Sequence, residues 1–558
     1  MSIKLDFNRV FANIYSRLFN DVYSKLTENI SFAEPASYII FTDGSKYYAK
    51  NGGTGVIEYS DADATKVIQF AIDKANAVGG GKVFIREGTY ILSTSIYMKS
   101  NVVLEGAGTL TLLKLKDNAT GGATIEGRTK MFVIGGKVNN VVLRNFKIDG
   151  NKANQSEIVN GIWFRYSENI VIENLTIENM NGPGIALEPA RKILVLGCRV
   201  INTASTGIIV GDFPGDTFHP EDIIIVDNYV DTTGPLFPDG IAVGGRPVNR
   251  AVIANNVVKN AGDVGIEVQT LDSGNIGYDF IVEGNIVINS DKVGISVNGS
   301  NGGVIERFSV HNNIVDTAKL YGINIVNANN GDVSLNVVYN IPNPDNVSGA
   351  GVGIRIKDSN RIDVIGNKVL STESVGFSVG GSLNKIIANY MENTSTGIYV
   401  AGSNHVVAFN IFKDPKTPRH SVMLDGATYV LVFNNMIVNN NGYAQGISES
   451  GTADYNVIMH NDVKTAVSPK ISKVGANTVV KYNIGYYTEK SGVATIPAGS
   501  TRVTVSHGLI QAPSKVLITP LGQPLGKLWV ENITSTSFDI VTDTAPTADL
   551  NVSWQAEV

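Results

Sequence analysis

The chain has 558 residues, 58 of them glycine, with 17% charged residues and a formal charge of -6, so a large core is affordable and no basic nucleic-acid footprint exists. One cysteine excludes an intramolecular disulfide framework and a multi-cysteine metal site, and six scattered histidines without a His-x-x-x-His pair argue against zinc. No apolar run approaches the roughly 20 residues that cross a bilayer, and Asp6, Arg9, Arg17 and Asp21 interrupt anything like a secretory signal.

In residues 1–34, Phe7, Phe11, Ile14, Leu18, Val22 and Leu26 form one apolar helical face, which predicts an amphipathic helix ended by Pro35. It serves either as a helix docked on its own domain or, given Val10, Tyr15, Phe19 and Tyr23 beside that face, as an attachment or oligomerisation element. A second helix is expected at about 63–78, with Val67, Ile68, Phe70, Ala71, Ile72 and Ala75 apolar, within an opening segment of residues 35–110. An exposed strand edge at the end of a solenoid needs such a cap.

A shaft over 111–480 follows from repetition. Gly161, Gly184, Gly207, Gly240, Gly265, Gly294, Gly322, Gly353, Gly376 and Gly397 are each followed by Ile or Phe and then another apolar residue two further on, at intervals of 21 to 33 residues. Out of phase with these stand Asn174, Asn228, Asn256, Asn285, Asn313, Asn336, Asn367, Asn389, Asn410 and Asn435, with Cys198 in the corresponding place of its rung. Each Asn is expected where the chain bends, since Asn tolerates left-handed dihedrals, and stacking would set the amides in a ladder about 4.8 Å apart. Short β-branched runs such as Ile223-Ile-Ile-Val226, with no helical period, complete the prediction of an all-β parallel β-helix. From 485 to 558, alternating short strands with regular turn signals predict a small β-sandwich.

Two resemblances follow from these residues. Thr54-Gly-Val-Ile-Glu58, Asp63-Ala-Thr-Lys-Val-Ile-Gln69, Gly79-Gly-Gly-Lys-Val-Phe-Ile85, Gly88-Thr-Tyr90 and Leu104-Glu-Gly-Ala-Gly-Thr109 resemble the opening of the pectate-lyase superfamily of right-handed β-helix proteins, which includes many viral tailspikes. The resemblance implies a right-handed solenoid over about 37–480 and leaves the chemistry open among lyases, hydrolases, epimerases and pure binders. His507-Gly508-Leu509 with Pro513 and Val516 is similar to carboxy-terminal modules of phage tail fibres, which implies trimerisation or host contact.

If the residue after each repeated Gly faces inward, the next faces out. That column reads Trp163, Ala186, Ile209, Ala242, Glu267, Ser296, Asn324, Arg355, Ser378 and Tyr399, and its neighbour includes Arg165, Glu188, Gln269, Asn298 and Lys357. Such a face suits a sugar trough, with Trp163 and Tyr399 stacking on pyranoses or else covering apolar surface. Loops after Gly211 and Gln269 and before Arg355 crowd its middle rungs, 207 to 357, bringing Asp212, Asp216, His219 and Glu221 near it.

Glycoside hydrolysis needs two carboxylates. Asp239 and Asp263, in adjacent rungs, have backbones an expected ~6 Å apart, and Glu267 is an alternative partner; as turn-formers the two Asp would have no such role. Gly353-Ile-Arg-Ile-Lys357 resembles the Arg-Ile-Lys motif of polygalacturonases, but Asn-Thr-Asp, the paired Asp-Asp and Gly-His-Gly are missing, so only anion binding by Arg355 and Lys357 carries over. No acidic cluster supports Ca²⁺, and no cofactor is expected.

Together these point to a homotrimeric virion tailspike or tail-fibre protein that binds, or binds and depolymerises, a host cell-surface polysaccharide, the amino-terminal helix meeting other virion proteins. The alternatives are a non-catalytic structural or adhesive shaft, or an extracellular or cell-surface polysaccharide lyase or hydrolase.

Overall fold

The structure, a computed structural model, describes residues 36–119, 131–232, 234, 238–416, 419–439 and 441–558. The expected helix over residues 1–34 lies outside these. The chain divides into two compact units, Met1–Asp363 with Asn367–Ser374, and Val364–Gly366 with Val375–Val558.

The first unit opens with an antiparallel meander, Tyr38–Thr42, Tyr47–Asn51 and Ile57–Asp61, followed by a helix over Ala64–Ala77. Asp63 caps that helix by accepting from the Thr65 N–H at 2.9 Å. Its Val67, Ile68, Ala71, Ile72 and Ala75 are buried, and Phe70 stacks on Tyr59 at 4.9 Å. Helical continuation stops at Gly79 and Gly80, whose φ values of 101° and 131° favour glycine.

Rungs then repeat three short strands, each pairing parallel and in register with its counterpart above and below. Asn249–Ala254, Val257–Lys259 and Val264–Leu271 make one such rung and pair with Ile276–Glu283, Ile286–Ser290 and Val293–Ser300. The repeated glycines begin the third strand of each rung and owe their place to room rather than dihedral. A Cβ on Gly240 would sit 2.1 Å from Val258 Cγ1 and 2.5 Å from the Gly265 carbonyl oxygen, and Gly265 meets Val287 and Gly294 in the same way.

The asparagine ladder is present and buried. Asn256 donates its backbone N–H and its side-chain amide to Asn285 Oδ1 at 2.9 and 3.0 Å, and the amide also donates to the Ile225 carbonyl at 2.9 Å. The same pattern runs from Asn228 to Asn367 in the first unit, with Cys198 N–H donating to Asn228 Oδ1 at its start. In the second unit it continues through Asn389, Asn410, Asn435, Asn461 and Asn483.

Two expectations need correction. The ladder residues are not the left-handed ones: the residue before each is, as at Asn255 (φ 56°), Gly284 (φ 64°) and Asn434 (φ 51°). Asn174 itself has φ 52°, so it is the bend residue of its rung and buried Leu175 takes the ladder place. The left-handed residue turns the chain, and the buried residue that follows it carries the amide that bonds the next rung.

In the second unit, parallel strands such as Lys385–Ile387, Val406–Ala408, Leu431–Phe433, Val457–Met459 and Val479–Lys481 form one sheet of the solenoid. Beyond them, two three-stranded antiparallel sheets enclose Ile496, Phe538, Ile540, Val552 and Trp554. His507 lies fully buried on Phe538, ring planes 9° apart, and its Nδ1 accepts from the Leu509 N–H at 3.0 Å, which explains the His-Gly-Leu turn with Gly508 at φ 63°.

Candidate functional site

The site is built on the third strands of the first unit, where in-register pairing aligns Ile209, Ala242, Glu267, Ser296, Asn324 and Arg355 in one outward column. Beside it Gly244, Gln269, Asn298, Val326 and Lys357 form a second. Gln269 and Asn298 both donate to Ser300 Oγ, at 2.8 and 2.9 Å, which orders their amides along the face.

Asp239, Asp263 and Glu267 come together there, and Lys292 joins them. The Lys292 ammonium pairs with Asp263 at 3.1 Å, and Asp239 Oδ1 accepts from the Val264 N–H at 3.1 Å. Asp239 is half-buried, and burial together with the Asp263 charge pushes its carboxyl up to about 7, against the pull of the Val264 hydrogen bond and Lys292. Glu267 is also half-buried; burial, then the charges of Asp239 and Asp263, push it up to about 8, with Lys292 acting the other way. Among the described residues no hydrogen bond or ion pair reaches the Glu267 carboxyl. Lys292 was missed by sequence reading because it lies outside the repeat's columns, in the turn leading into Val293–Ser300, and only rung stacking sets it over Asp263.

The loop after Gly211 is pinned at both ends. Asp212, its side chain fully buried, accepts from His219 Nδ1 at 2.8 Å and from Arg246 Nη1 at 3.0 Å, while Arg246 Nε donates to Asp272 at 2.6 Å. This fixes the His219 ring through Nδ1 with about a quarter of the side chain exposed. Arg191 lies over the Phe218 ring at 4.2 Å and donates to the His219 carbonyl at 2.8 Å. Glu221 pairs with Arg250 on the neighbouring rung, away from the columns.

Arg355 lies 4.7 Å from the Tyr321 ring centre and donates to Asn324 Oδ1 at 3.4 Å, while Lys357 is exposed beside Asp358. Glu188 is half-buried, its carboxylate near Gly211. In the second unit Ser378 pairs with Tyr399, whose hydroxyl donates to Asp425; that bond and burial push the phenol up to about 12.

Two expected sugar contacts are overturned. Trp163 is 2% exposed, packed with Ala186, Tyr97 and Ile209, and so offers no free ring face. Arg165, 5% exposed, lies between the Tyr166 and Phe213 rings and pairs with Asp216 at 3.4 Å, so it holds the loop down rather than facing a ligand. Both point outward from their strand, but a loop and neighbouring apolar side chains cover them, which strand alternation alone does not register.

Residues 54–316 match the family model described as rhamnogalacturonase A/epimerase, pectate lyase-like, and residues 343–496 match that of the periplasmic copper-binding protein NosD. In the latter span both ring nitrogens of His405 are engaged, with the Asn384 N–H and the Ala401 carbonyl. Among the described residues no group of three His, Cys, Asp or Glu is placed to hold a metal. Among curated proteins, the chain is 31% identical over 174 residues to mannuronan C5-epimerase AlgE6 of Azotobacter vinelandii, covering 28% of this chain and 20% of that one. Against AlgE2 of the same organism it is 28% identical over 257 residues, 42% of this chain and 24% of the relative. The chain thus spans a quarter or less of these relatives' length. Among solved structures, a double-mutant tailspike protein of E. coli bacteriophage HK620 superposes with a TM-score of 0.55 at 16% identity, covering 96% of this chain and 100% of that one. The tailspike protein in complex with pentasaccharide gives 0.52 at 15% identity, with coverages of 96% and 100%. By topology the solenoid of this chain is a right-handed parallel β-helix, and its residues 54–316 are similar to the pectate lyase-like model.

Proposed function

We propose that the chain binds a polysaccharide along the outward columns of its first unit and acts on it with Glu267 as general acid and Asp263, paired to Lys292, as the charged partner. The observation that carries this is Glu267: a half-buried carboxyl with no hydrogen bond or ion pair among the described residues, pushed up to about 8 and therefore protonated at neutral pH. A carboxylic acid kept protonated beside a charged carboxylate is the pairing acid–base chemistry on a glycosidic or uronate carbon requires. Asp239 belongs to the same group, and its raised value makes it a second proton reservoir. Gln269 and Asn298 offer amides to sugar hydroxyls, buried Asn324 holds Arg355, and Arg355 with Lys357 suits an anionic sugar. His219, held through Nδ1, borders the trough from its loop, with Glu188 beside it.

Similarity to mannuronan epimerases supports a uronate-containing polymer, and the tailspike likeness supports a host-attachment protein of a virion, working outside cells as a homotrimer. The test is incubation with a panel of uronate polymers and bacterial surface polysaccharides, reading reducing ends, unsaturated uronate absorbance and inversion at C5 by NMR. One of these signals, lost in Glu267→Gln, is expected. Binding without any product in the whole panel would favour the adhesive shaft instead.

A further inference from the structure

We propose that the outer face of one solenoid sheet in the second unit, bounded by two columns of left-handed aromatic residues, is where a second copy of this chain packs. This rests on the homo-oligomeric part of the reading above and assigns it a surface.

The rungs of both units bend at the same two points flanking this sheet, each with a residue at φ near 55°. In the first unit these places are held by residues that tolerate the conformation or gain an ion pair from it. Before the ladder stand Asn174, Asp227, Asn255 and Gly284, with Leu335 the exception; at the other end Arg250 pairs with Asp222 and Arg307 with Asp279. In the second unit the corresponding places hold Ala388, Phe409 (φ 59°), Asn434, His460 (φ 57°) and Tyr482 (φ 57°) on one side, and Leu383 (φ 61°), Asn404, Tyr429 (φ 57°) and Tyr455 (φ 56°) on the other, so bulky residues take most of them. A bulky side chain in this region costs on the order of 1–3 kcal/mol. Burial does not repay it, because Phe409, Tyr429, Tyr455 and Tyr482 remain 52%, 58%, 49% and 52% exposed.

Between the columns the strands turn Ile387, Leu431, Phe433, Val457 and Met459 outward, none of them fully buried, and Val479 is exposed. With roughly 200 Å² to a ring side chain, the four half-exposed aromatics leave ~400 Å² uncovered. Leu383 at 44%, Val479 at 42% and the partly exposed strand residues bring the apolar area of this face to ~600 Å², the upper end of what monomers leave open and about three-quarters of the ~800 Å² that each partner contributes to a standard interface.

The way the rings are arranged selects the occupant. Tyr429 stacks on Tyr455 at 5.2 Å and 18°, and His460 on Tyr482 at 5.3 Å and 19°. Stacked rings spend their faces on one another and show edges to solvent, whereas a pyranose needs a free face. Only Lys385 and Lys481 among the strands' outward residues are charged, and Lys481 is paired with Glu557, so two copies of this face meet with little like-charge repulsion.

The experiment is light scattering and sedimentation equilibrium on the full chain and on the variant Phe409→Asn, Tyr429→Asn, Tyr455→Asn, Tyr482→Asn. Asn is the residue that tolerates this backbone, so circular dichroism and thermal melting are expected to show a folded variant. The wild type is expected as a multimer at micromolar concentration, and the variant's association constant at least ~100-fold lower, since several clustered aromatic anchors are lost together. Should the variant not fold, Leu431→Lys with Val479→Lys, both turned outward on this sheet and not left-handed, makes the same comparison. A monomeric wild type, or a variant that keeps the wild-type mass, overturns the proposal; keeping mass while losing glycan retention would make the rings a sugar platform. A wild-type multimer that neither binds nor modifies any glycan sinks the glycan reading and leaves this one standing.

Discussion

Glu267 stands two residues after Gly265 on a strand whose alternation is plain in the sequence, so its outward direction was legible. Its chemistry was not, because that depends on burial and on Asp239 and Asp263 in neighbouring positions of the fold. The folded-state values of Asp239 and Glu267, about 7 and about 8, lie above those of an unfolded carboxyl near 4. Below pH 4 both states are protonated and the folded chain bears no penalty; above it the unfolded carboxyls ionise while the buried ones hold their protons, so stability is lost progressively from about pH 4 up through the folded values near 7 and 8 and then levels off. Glu267→Gln is therefore expected to melt higher than wild type at pH 9, with the difference shrinking steadily as pH is lowered toward 4, as differential scanning calorimetry will show. Its activity should fall by roughly 100-fold or more, the usual contribution of a positioned acid, and wild-type activity should decline as pH passes 8. Asp212→Asn is expected to change the pH profile through His219, whose ring it holds, with the fold retained by circular dichroism. Trp163 and Arg165 show the converse: facing outward was readable, whereas being covered was decided by a loop the alternation rule cannot see.

At the scale of the rung, two residue types set the geometry for different reasons. Gly240→Ala places a methyl group 2.1 Å from Val258 Cγ1 and is expected to cost about 1–3 kcal/mol in chemical denaturation, the range for overpacking. Asn285→Ala removes the oxygen that receives two hydrogen bonds from Asn256 and strands the Ile253 carbonyl, a loss of about 2 kcal/mol or more. The ladder was readable because rung after rung repeats it, but its phase was off by one at Asn174, where the bend residue is itself an Asn and the ladder place beside it holds apolar Leu175. The left-handed aromatics Phe409, Tyr429, Tyr455 and Tyr482 were invisible to sequence reading, since apolar residues carry no bend signal.

For the whole molecule, the nearest-neighbour character of the solenoid dictates how damage spreads. Each rung touches only the rungs above and below, so Asn285→Ala is expected to raise amide hydrogen exchange first in Asn249–Ala254 and Ile276–Glu283 and last in remote rungs, as exchange mass spectrometry resolves. Glycine spacing, the Asn column and short β-branched runs by themselves determined a parallel β-helix, its rung phase and which side chains face out, because those follow from local period and from contacts repeated once per turn. Only the tertiary structure decided that Lys292 meets Asp263, that Trp163 is covered and that a strained aromatic face stays open, because each depends on distances between segments 20 to 40 residues apart that no local pattern encodes.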